Sequence, residues 1–403
     1  MMCLRGDALR NLGSTEESIV AFEMALGSAT DDEQRCLAWI GMAAGLRVAD
    51  RQKAALDALD HAEAAAIRQG LMSDLVQIHY LRGDVYFPLG DIDGCLAEHH
   101  KALSFARDIG STEGEALALG GLGDAHYLRG HMRTACEQFR ACIGVCRDHG
   151  YVRIEVANRH MVGWTRIHLM EHAEALEDAL ESAKMASVVS HRRAQLLGLM
   201  LAGLVEFELG QFAEAQGHLE LGLDLARKIS ASNFEAQILM TLAALSAAQG
   251  RMPEARDIAE RAVKVVREVG ITFIGPSVLA IKAALTDDRD ECRKALEEAE
   301  SILNAGCVAH NHFWFARISI DHALAVGDWD EAERYAARLE TYTREQPLPW
   351  SDFLIARGRA LAAWGRRRPN EDVVVELRSL HELAVRQGLK PLGLELKRVL
   401  AAG

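Results

Sequence analysis

Apolar side chains recur at helical spacing along most of the chain, and residues 112–149 show the pattern well. The first half of this stretch carries apolar residues on one side: Leu117, Leu119, Leu122 and Tyr127. The second half places them at i, i+4, i+7 and i+11, which is one face of an α-helix. These residues are Ala135, Phe139, Cys142 and Cys146. Gly130 lies between the halves, where a glycine can end the first helix. The pattern predicts a helical hairpin.

The hairpin pattern repeats about every forty residues, in three separate registers. The first register marks the turns at Gly90, Gly130, Gly210 and Gly250. The second contains the small residues Ala55, Cys95, Ala135, Ala175, Ala215 and Ala255, with Cys292 and Ala332 continuing it after one step of 37. The third marks the ends of second helices at Gly70, Gly110, Gly150, Ser190, Ser230 and Gly270. A fixed period of this length predicts stacked supersecondary units.

The residues at these positions resemble the tetratricopeptide repeat (TPR). The third repeat matches at Gly83, Tyr86, Gly90, Cys95, Ala102 and Leu103. The fourth matches at Gly123, Gly130, Ala135, Phe139, Cys142 and Ile143. The resemblance covers essentially the whole chain and implies an all-α, right-handed superhelical α-solenoid of about ten helix-turn-helix repeats. Each repeat has about 40 residues rather than the 34 of the family, so its helices are expected to be longer. We call the two helices of a repeat helix A and helix B. Gly123 on helix A is expected to meet the side of helix B that carries Ala135 and Cys142.

Ten repeats fit within residues 1–388, and residues 389–403 are predicted to form a capping helix. Turns are expected near Gly13, Asp50, Gly90, Gly130, Met170, Gly210, Gly250, Asp287, Gly327 and Gly365. The tenth repeat is irregular, with a longer turn at 366–372. The first is truncated, because Met1 falls inside its helix A. Either the chain is the C-terminal portion of a longer protein or its start codon was assigned late, or this helix is simply short and frayed.

The composition of the chain argues against several classes of function. The net charge of −13 argues against nucleic acid as a partner. The N-terminal sequence has no signal peptide, and no apolar run is long enough to span a membrane. Eight cysteines without a CxxC pair indicate reduced thiols in a cytoplasmic protein.

Several short patterns suggest chemistry but fit the repeat better. Asp91–Glu98, DIDGCLAE, resembles a calcium loop, yet its glycine stands at position 4 rather than 6. It is better interpreted as a turn and the start of a helix B, where acidic residues are favourable. The metal-like groups and histidine pairs fit packing positions instead: Cys136, Cys142, Cys146 and His149; His168 and His172; and His99 with His100. His381-Glu382 has Val385 where a zinc-protease helix requires a second histidine.

No catalytic constellation emerges from the sequence. There is no Gly-Lys dipeptide, so a phosphate-binding P-loop is excluded. The glycine-rich segment 118–123 follows no strand. We therefore expect no metal, no cofactor and no enzyme activity.

The TPR resemblance implies that helix A lines the inner surface of the superhelix. The lining positions are three before, one after and four after the packing small residue. They are Tyr80, Asp84, Phe87, Asp124, Tyr127, His160, Trp164, Ile167, Met200, Leu204 and Phe207. Aromatic side chains beside acids on such a wall suit a protein or peptide with apolar and basic side chains. The alternative is that these aromatics pack between adjacent repeats. Pro88 is expected to truncate helix A of the third repeat, or to mark a simple early stop.

Two functional interpretations remain open. Long, alanine-rich arrays of this kind resemble the C-terminal halves of large bacterial adenylate/guanylate cyclase-like or signal-transduction ATPase proteins. In those proteins the repeats bind a partner and restrain a catalytic part. The alternative is a free-standing cytoplasmic TPR adaptor that binds a peptide or protein in its concave groove.

Overall fold

A computed structural model describes residues 2–11, 14–49, 51–366 and 371–401. In these ranges the chain is entirely helical outside its turns and contains no strand. Twenty-one helices follow one another: α1 (Met2–Asn11), α2 (Thr15–Ser28), α3 (Asp32–Val48), α4 (Gln52–Gln69), α5 (Met72–Leu89), α6 (Ile92–Asp108), α7 (Thr112–Arg129), α8 (Met132–His149), α9 (Val152–His168), α10 (His172–Val188), α11 (Arg192–Glu208), α12 (Phe212–Lys228), α13 (Ser232–Ala248), α14 (Met252–Val269), α15 (Gly275–Leu285), α16 (Arg289–Ala305), α17 (His310–Val326), α18 (Trp329–Tyr342), α19 (Pro349–Gly365), α20 (Glu371–Arg386) and α21 (Lys390–Ala401).

The first twenty helices form ten successive A–B hairpins, and α21 follows the last of them. The TPR-like fold expected from the repeat pattern is therefore confirmed. Odd-numbered helices from α1 to α19 are A helices and even-numbered ones are B helices. The predicted turns at Gly13 and Asp50, and residues 367–370 of the tenth turn, lie outside the described residues. A capping role for α21 remains a prediction.

The chain divides into two compact units. The first contains Met1–Arg129 and Glu137–Glu155, and the second contains Gly130–Cys136 and Val156–Gly403. Among the described residues, no helix has both the length and the apolar character needed to cross a membrane.

The repeat imposes a left-handed backbone conformation where its helices end. Glycines such as Gly90 and Gly210 have positive φ there, at 71° and 72°. Met170, Ser190 and Ser230 are the residues other than glycine with positive φ in the described chain, at 63°, 56° and 56°. All three occupy positions that glycine fills in other repeats. The turn geometry therefore overrides the steric preference of these side chains.

DIDGCLAE is the turn and helix start that the sequence analysis favours. Asp91 caps α6, and its carboxylate accepts a hydrogen bond from the backbone N–H of Gly94 at 2.9 Å. Asp93, in the first turn of α6, forms an ion pair with Arg129.

Glycines on A helices make room for large rings on B helices. His99 is buried, and its ring fills the space that a Cβ would need at Gly83 and at Gly121. At Gly123 a Cβ would lie 2.6 Å from the Phe139 ring. Phe139 belongs to the face of α8 that carries Ala135 and Cys142, so the expectation that Gly123 meets this side of helix B is confirmed. The contact is made by the aromatic between Ala135 and Cys142, because a long ring reaches across the interhelical gap.

We expect Gly123→Ala to destabilise the protein by up to about 2 kcal/mol. Overpacking against Phe139 costs about 1–3 kcal/mol, and the higher helix propensity of alanine offsets about 1 kcal/mol. Gly144→Ala, on the exposed side of α8 with open space around it, is the matched control and should be stabilising. Urea unfolding of both variants measures the difference, and equal shifts of the two midpoints would contradict the packing role of Gly123.

Pro88 does not truncate helix A of the third repeat, so that expectation is wrong. Helix α5 runs through Pro88 to Leu89 and has 18 residues. Proline removes one backbone donor, and in the last turn of a helix this cost is confined to a single hydrogen bond.

Repeat eight departs most from the pattern. Its helix A, α15, has 11 residues, whereas α13 and α17 each have 17. Turn residues 271–274 precede α15. They are held by α17, because the Asn311 side chain donates to the carbonyl oxygen of Phe273 at 2.7 Å. The step of 37 residues in the sequence thus corresponds to a shortened helix.

Candidate functional site

The A-helix face of the first compact unit brings together several of the predicted lining residues. Tyr80 and Asp84 lie on α5, and Asp124 lies on α7. All three side chains are partly exposed. The charge of Asp84 and burial raise the pKa of the Tyr80 hydroxyl well above its ordinary value of 10, and Asp124 contributes in the same direction. The three groups therefore interact electrostatically, as the repeat spacing predicts for successive A helices.

Arg47 belongs to the same face and was missed by the sequence analysis. It lies on α3, and its Nη1 is 3.5 Å from Oδ2 of Asp84. Positions 47, 87 and 127 are each forty apart, so Arg47 is the second-repeat counterpart of Phe87 and Tyr127. The period alone could have identified it. Phe87 is partly exposed and Tyr127 is 8 % exposed.

A buried ion network lies beneath this face. His79 and Arg82 on α5 both contact the Glu98 carboxylate on α6, at 2.7 and 3.2 Å. Arg82 also reaches Glu63 on α4 at 2.7 Å. Burial alone would raise the pKa of Glu98, but the hydrogen bonds from His79 and Lys101 and the charge of Arg82 lower it to about 2. The network joins α5 to a B helix on either side and so fixes the orientation of Tyr80 and Asp84.

In the second compact unit, most of the predicted lining residues are buried. His160, Trp164, Ile167, Met200 and Leu204 are at most 5 % exposed. Phe207 is partly exposed, with its ring 6.0 Å from that of Phe212. The expectation of an open, aromatic wall is therefore wrong for repeats five and six. Whether these residues contact a ligand in another state stays a prediction.

Repeats nine and ten occupy that face instead. His168 lies one helical turn after Trp164, and its ring is 4.4 Å from Phe313 and 5.3 Å from Trp350. Glu208 lies one turn after Leu204 and contacts Nη1 of Arg317 at 3.4 Å. Residues four apart share a helix face, so Trp164 and Leu204 lie on the face that α17 and α19 cover.

Ion pairs also connect the helices that cover this face. Asp321 on α17 accepts from Nε of Arg317 at 2.7 Å and from Nη1 of Arg357 on α19 at 2.6 Å. Arg357 also donates to Glu395 on α21, with 2.8 Å between Nε and Oε2. Arg357 is 2 % exposed. The pairs join α17, α19 and α21 through a single buried guanidinium.

Four histidines of the second unit are buried, and burial lowers their pKa values. The pKa is about 3 for His160 and His168, and about 4 for His172 and His310. Nearby positive groups add to the effect: Arg193 and His191 act on His160, His172 and His310 act on His168, and Arg317 acts on His172. The sequence analysis treated His168 and His172 as packing residues, expected His160 to line the groove, and did not single out His310.

Cys292 and His322 form a thiol–imidazole pair in the second unit. Sγ lies 3.3 Å from Nε2, beside a cleft of about 960 Å³. Burial raises the pKa of Cys292 and lowers that of His322. At neutral pH both groups are therefore uncharged, so the thiol is not an activated nucleophile. Within the described ranges, no group of three or more His, Cys, Asp or Glu side chains could hold a metal ion.

Comparison with known proteins identifies the fold. No protein-family model and no curated protein sequence matches the chain. A solved Rap protein, complexed with competence and sporulation factor, is similar with a TM-score of 0.66 and 11 % identity, over 89 % of this chain and 98 % of that one. NprR in complex with its cognate peptide NprX has a TM-score of 0.61 and 14 % identity, over 87 % and 98 %. Aspartyl phosphate phosphatase F from Bacillus subtilis has a TM-score of 0.56 and 11 % identity, over 87 % and 94 %.

The chain has a TPR-like helical repeat fold. At these identities the similarity concerns the fold alone. None of the three structures is named as a nucleotide cyclase or a signal-transduction ATPase, so that resemblance stays a prediction from the sequence.

Proposed function

We propose that this protein is a non-catalytic scaffold that binds an extended peptide or protein segment with apolar and basic side chains. The site is the A-helix face of the first compact unit, around Tyr80, Asp84, Phe87 and Asp124. One observation carries the proposal: two partly exposed carboxylates, one repeat apart, lie beside partly exposed aromatic rings on this face. In the second unit, the corresponding face is closed by the chain's own repeats.

Charge favours a basic ligand at this site. Arg47 reaches Asp84 only at 3.5 Å and leaves the combined charge of Arg47, Asp84 and Asp124 negative. The chain as a whole carries a charge of −13, which attracts basic segments at long range. The rings of Tyr80 and Phe87 supply apolar contact area beside the carboxylates.

The solved structures support this proposal by analogy. NprR, whose fold is similar, was solved with its cognate peptide. An A-helix face with aromatic and charged side chains is a surface on which an extended peptide can make several contacts at once.

Binding of labelled peptide pools tests the proposal. Pools of short peptides that are basic and apolar, acidic and apolar, or neutral are compared by fluorescence anisotropy. We expect the basic pool to bind most tightly, with an affinity that falls as salt rises. The double variant Asp84→Asn/Asp124→Asn should weaken this binding by tenfold or more.

The matched control removes two exposed acids elsewhere in the same unit. Asp108→Asn/Glu113→Gln changes the net charge equally, but both residues are exposed at the ends of their helices. It should change the dissociation constant by no more than about twofold, whereas a tenfold change corresponds to about 1.4 kcal/mol. Equal losses in both double variants would reduce the effect to overall charge and contradict the site.

The scaffold could act as a free-standing adaptor or as the regulatory part of a larger signalling protein of the cyclase or ATPase kind. Immunoblotting of native cells with an antibody against this chain separates the two arrangements. A band near 44.2 kDa corresponds to the adaptor, and a much larger band to the regulatory module.

A further inference from the structure

The A-helix face of repeats five and six is covered by a part of the chain more than one hundred residues away. His168 on α9 contacts Phe313 and Trp350, and Glu208 on α11 contacts Arg317. Repeats in a solenoid normally contact their sequence neighbours. These contacts connect repeats five and six to repeats nine and ten and skip the repeats between them.

Two further contacts also join residues that are far apart in the sequence. The Gln346 side chain, just before α19, accepts from the backbone N–H of Arg133 at 2.9 Å and donates to Oγ1 of Thr134 at 2.8 Å. Gly210, in the turn after α11, lies next to Lys390 of α21. A Cβ atom added at Gly210 would lie 3.1 Å from the Cβ of Lys390. Residues that precede and follow α19 in the sequence therefore also contact the earlier repeats.

The covered region contains polar groups without partners. Nδ1 of His168, Nε1 of Trp350 and Oγ of Ser351 are buried and make no hydrogen bond. Such atoms carry an uncompensated desolvation penalty in the closed state, and hydration removes it when the contact opens.

The ion pairs divide into two kinds. Glu208–Arg317 joins α11 to α17 and so crosses the contact. Arg357–Asp321 and Arg357–Glu395 join α17, α19 and α21 to one another. The three covering helices are therefore joined by ion pairs of their own, as helices that move as one body would be.

Repeat eight lies between the two parts and departs from the regular hairpin. Its α15 is shortened, and α16 has a cleft on each side, of about 490 and 960 Å³. One cleft is lined by Val263 and Leu279, and the other by His322 and Tyr335. Turn residues 271–274 replace the start of a full-length helix A, and loop or helix-end residues of this kind absorb the dihedral changes of a hinge motion.

We propose that α17, α19 and α21 form a clamp that opens about repeat eight and uncovers a second binding face on α9 and α11. The helix that occupies this face in the closed state indicates what could replace it. On α17, Phe313 and Arg317 stand four residues apart, and they contact His168 and Glu208. The matching partner is an amphipathic helix that carries an aromatic residue and an arginine at i and i+4.

Thiol labelling measures the opening. His168→Cys places a thiol beneath Phe313 and Trp350, and its reaction with a maleimide is followed by mass spectrometry at pH 7. The native Cys142 is buried in the other unit and is labelled only when that unit unfolds. We expect position 168 to be labelled at least tenfold faster than Cys142. If His168→Cys does not fold, Ser351→Cys is a nearly isosteric change within the clamp and serves as the second probe.

Two buried glutamates on α11 supply a matched pair of variants. Glu208→Gln weakens the pair that crosses the contact and should accelerate labelling at position 168 by tenfold or more. Glu206→Gln removes a buried carboxylate two residues away, which pairs with His218 on α12 outside the clamp. It should change labelling at position 168 by less than threefold.

A synthetic peptide with the sequence of residues 310–326 probes the partner class. It should accelerate labelling at position 168 in proportion to its concentration, whereas the same peptide with Phe313→Ala and Arg317→Ala should not. The clamp is overturned if position 168 and Cys142 are labelled at the same rate in every variant, because the contact would then open only on global unfolding. Acceleration by neither peptide, with opening still observed, would overturn the proposed partner and leave the clamp.

Discussion

Lowering the pH from 7 to 5 is expected to destabilise the second compact unit by about 4–8 kcal/mol, the summed contribution of four buried histidines. Their pKa values are about 3 for His160 and His168 and about 4 for His172 and His310. In the unfolded chain they would titrate near 6.5. Between these values the unfolded state binds protons that the folded state does not. Stability is therefore complete above about pH 6.5 and is lost as the pH falls toward 4.

Each of these histidines contributes about 2 kcal/mol at pH 5, because the unfolded pKa lies about 1.5 units above that pH and one unit corresponds to about 1.4 kcal/mol. Burial dominates at each histidine, although hydrogen bonds with the backbone at Val156, Met170 and Phe273 raise the pKa values of His160, His172 and His310 and offset part of its effect. His218 works in the opposite direction, because its hydrogen bond with Glu206 raises its pKa. It offsets part of the total.

Urea unfolding at pH 7, 6 and 5 measures this effect. His168→Phe keeps a ring between Phe313 and Trp350 but cannot titrate, so the loss between pH 7 and 5 should shrink by about 2 kcal/mol, the contribution of one histidine. His100→Gln removes an exposed histidine of the first unit and should leave the pH dependence unchanged. A stability that is flat between pH 7 and 5 would show that these histidines are hydrated or paired in the folded protein.

Arg357→Met is expected to destabilise the second unit by about 3–5 kcal/mol, as breaking a buried ion network does. Arg357 is 2 % exposed and pairs with both Asp321 and Glu395. Its removal leaves Asp321 with Arg317 as its remaining ion-pair partner among the described contacts. Methionine fills a similar volume, so the loss reports the charge and the hydrogen bonds more than the packing.

Arg359→Met is the matched control on the same helix. Arg359 pairs with Glu340 through two contacts of 3.0 and 2.7 Å, yet both side chains are exposed, at 39 % and 55 %. Exposed pairs contribute about 0–1 kcal/mol. Thermal and urea unfolding compare the two variants. If both lose the same small amount, the network around Arg357 is not buried as the structure has it.

The repeat register predicted much of the candidate site. Asp84 and Asp124 are forty residues apart, so the register places them at the same position on successive A helices, and in the structure both act on the Tyr80 hydroxyl. The same register contains Arg47, which would have been found by counting back from Phe87. It also marked positions 170, 190 and 230 as helix ends, where the backbone adopts positive φ in the absence of glycine.

The sequence by itself determined the helical hairpin, its period and the positions where helices end, because these depend on contacts within about one repeat. Hydrophobic spacing, small residues and helix-ending residues are all local signals. It also determined which residues of each helix A lie on the same helix face. For the first compact unit, this was enough to bring the acidic and aromatic side chains together.

Only the tertiary structure decided that the equivalent face in repeats five and six is closed. The contact between Glu208 and Arg317 joins residues 109 positions apart, and no local pattern encodes it. Small rotations between successive repeats accumulate along an array, so repeats far apart in sequence can meet. The same buried environment then lowers the pKa values of His160 and His168, which in the sequence look no different from exposed histidines.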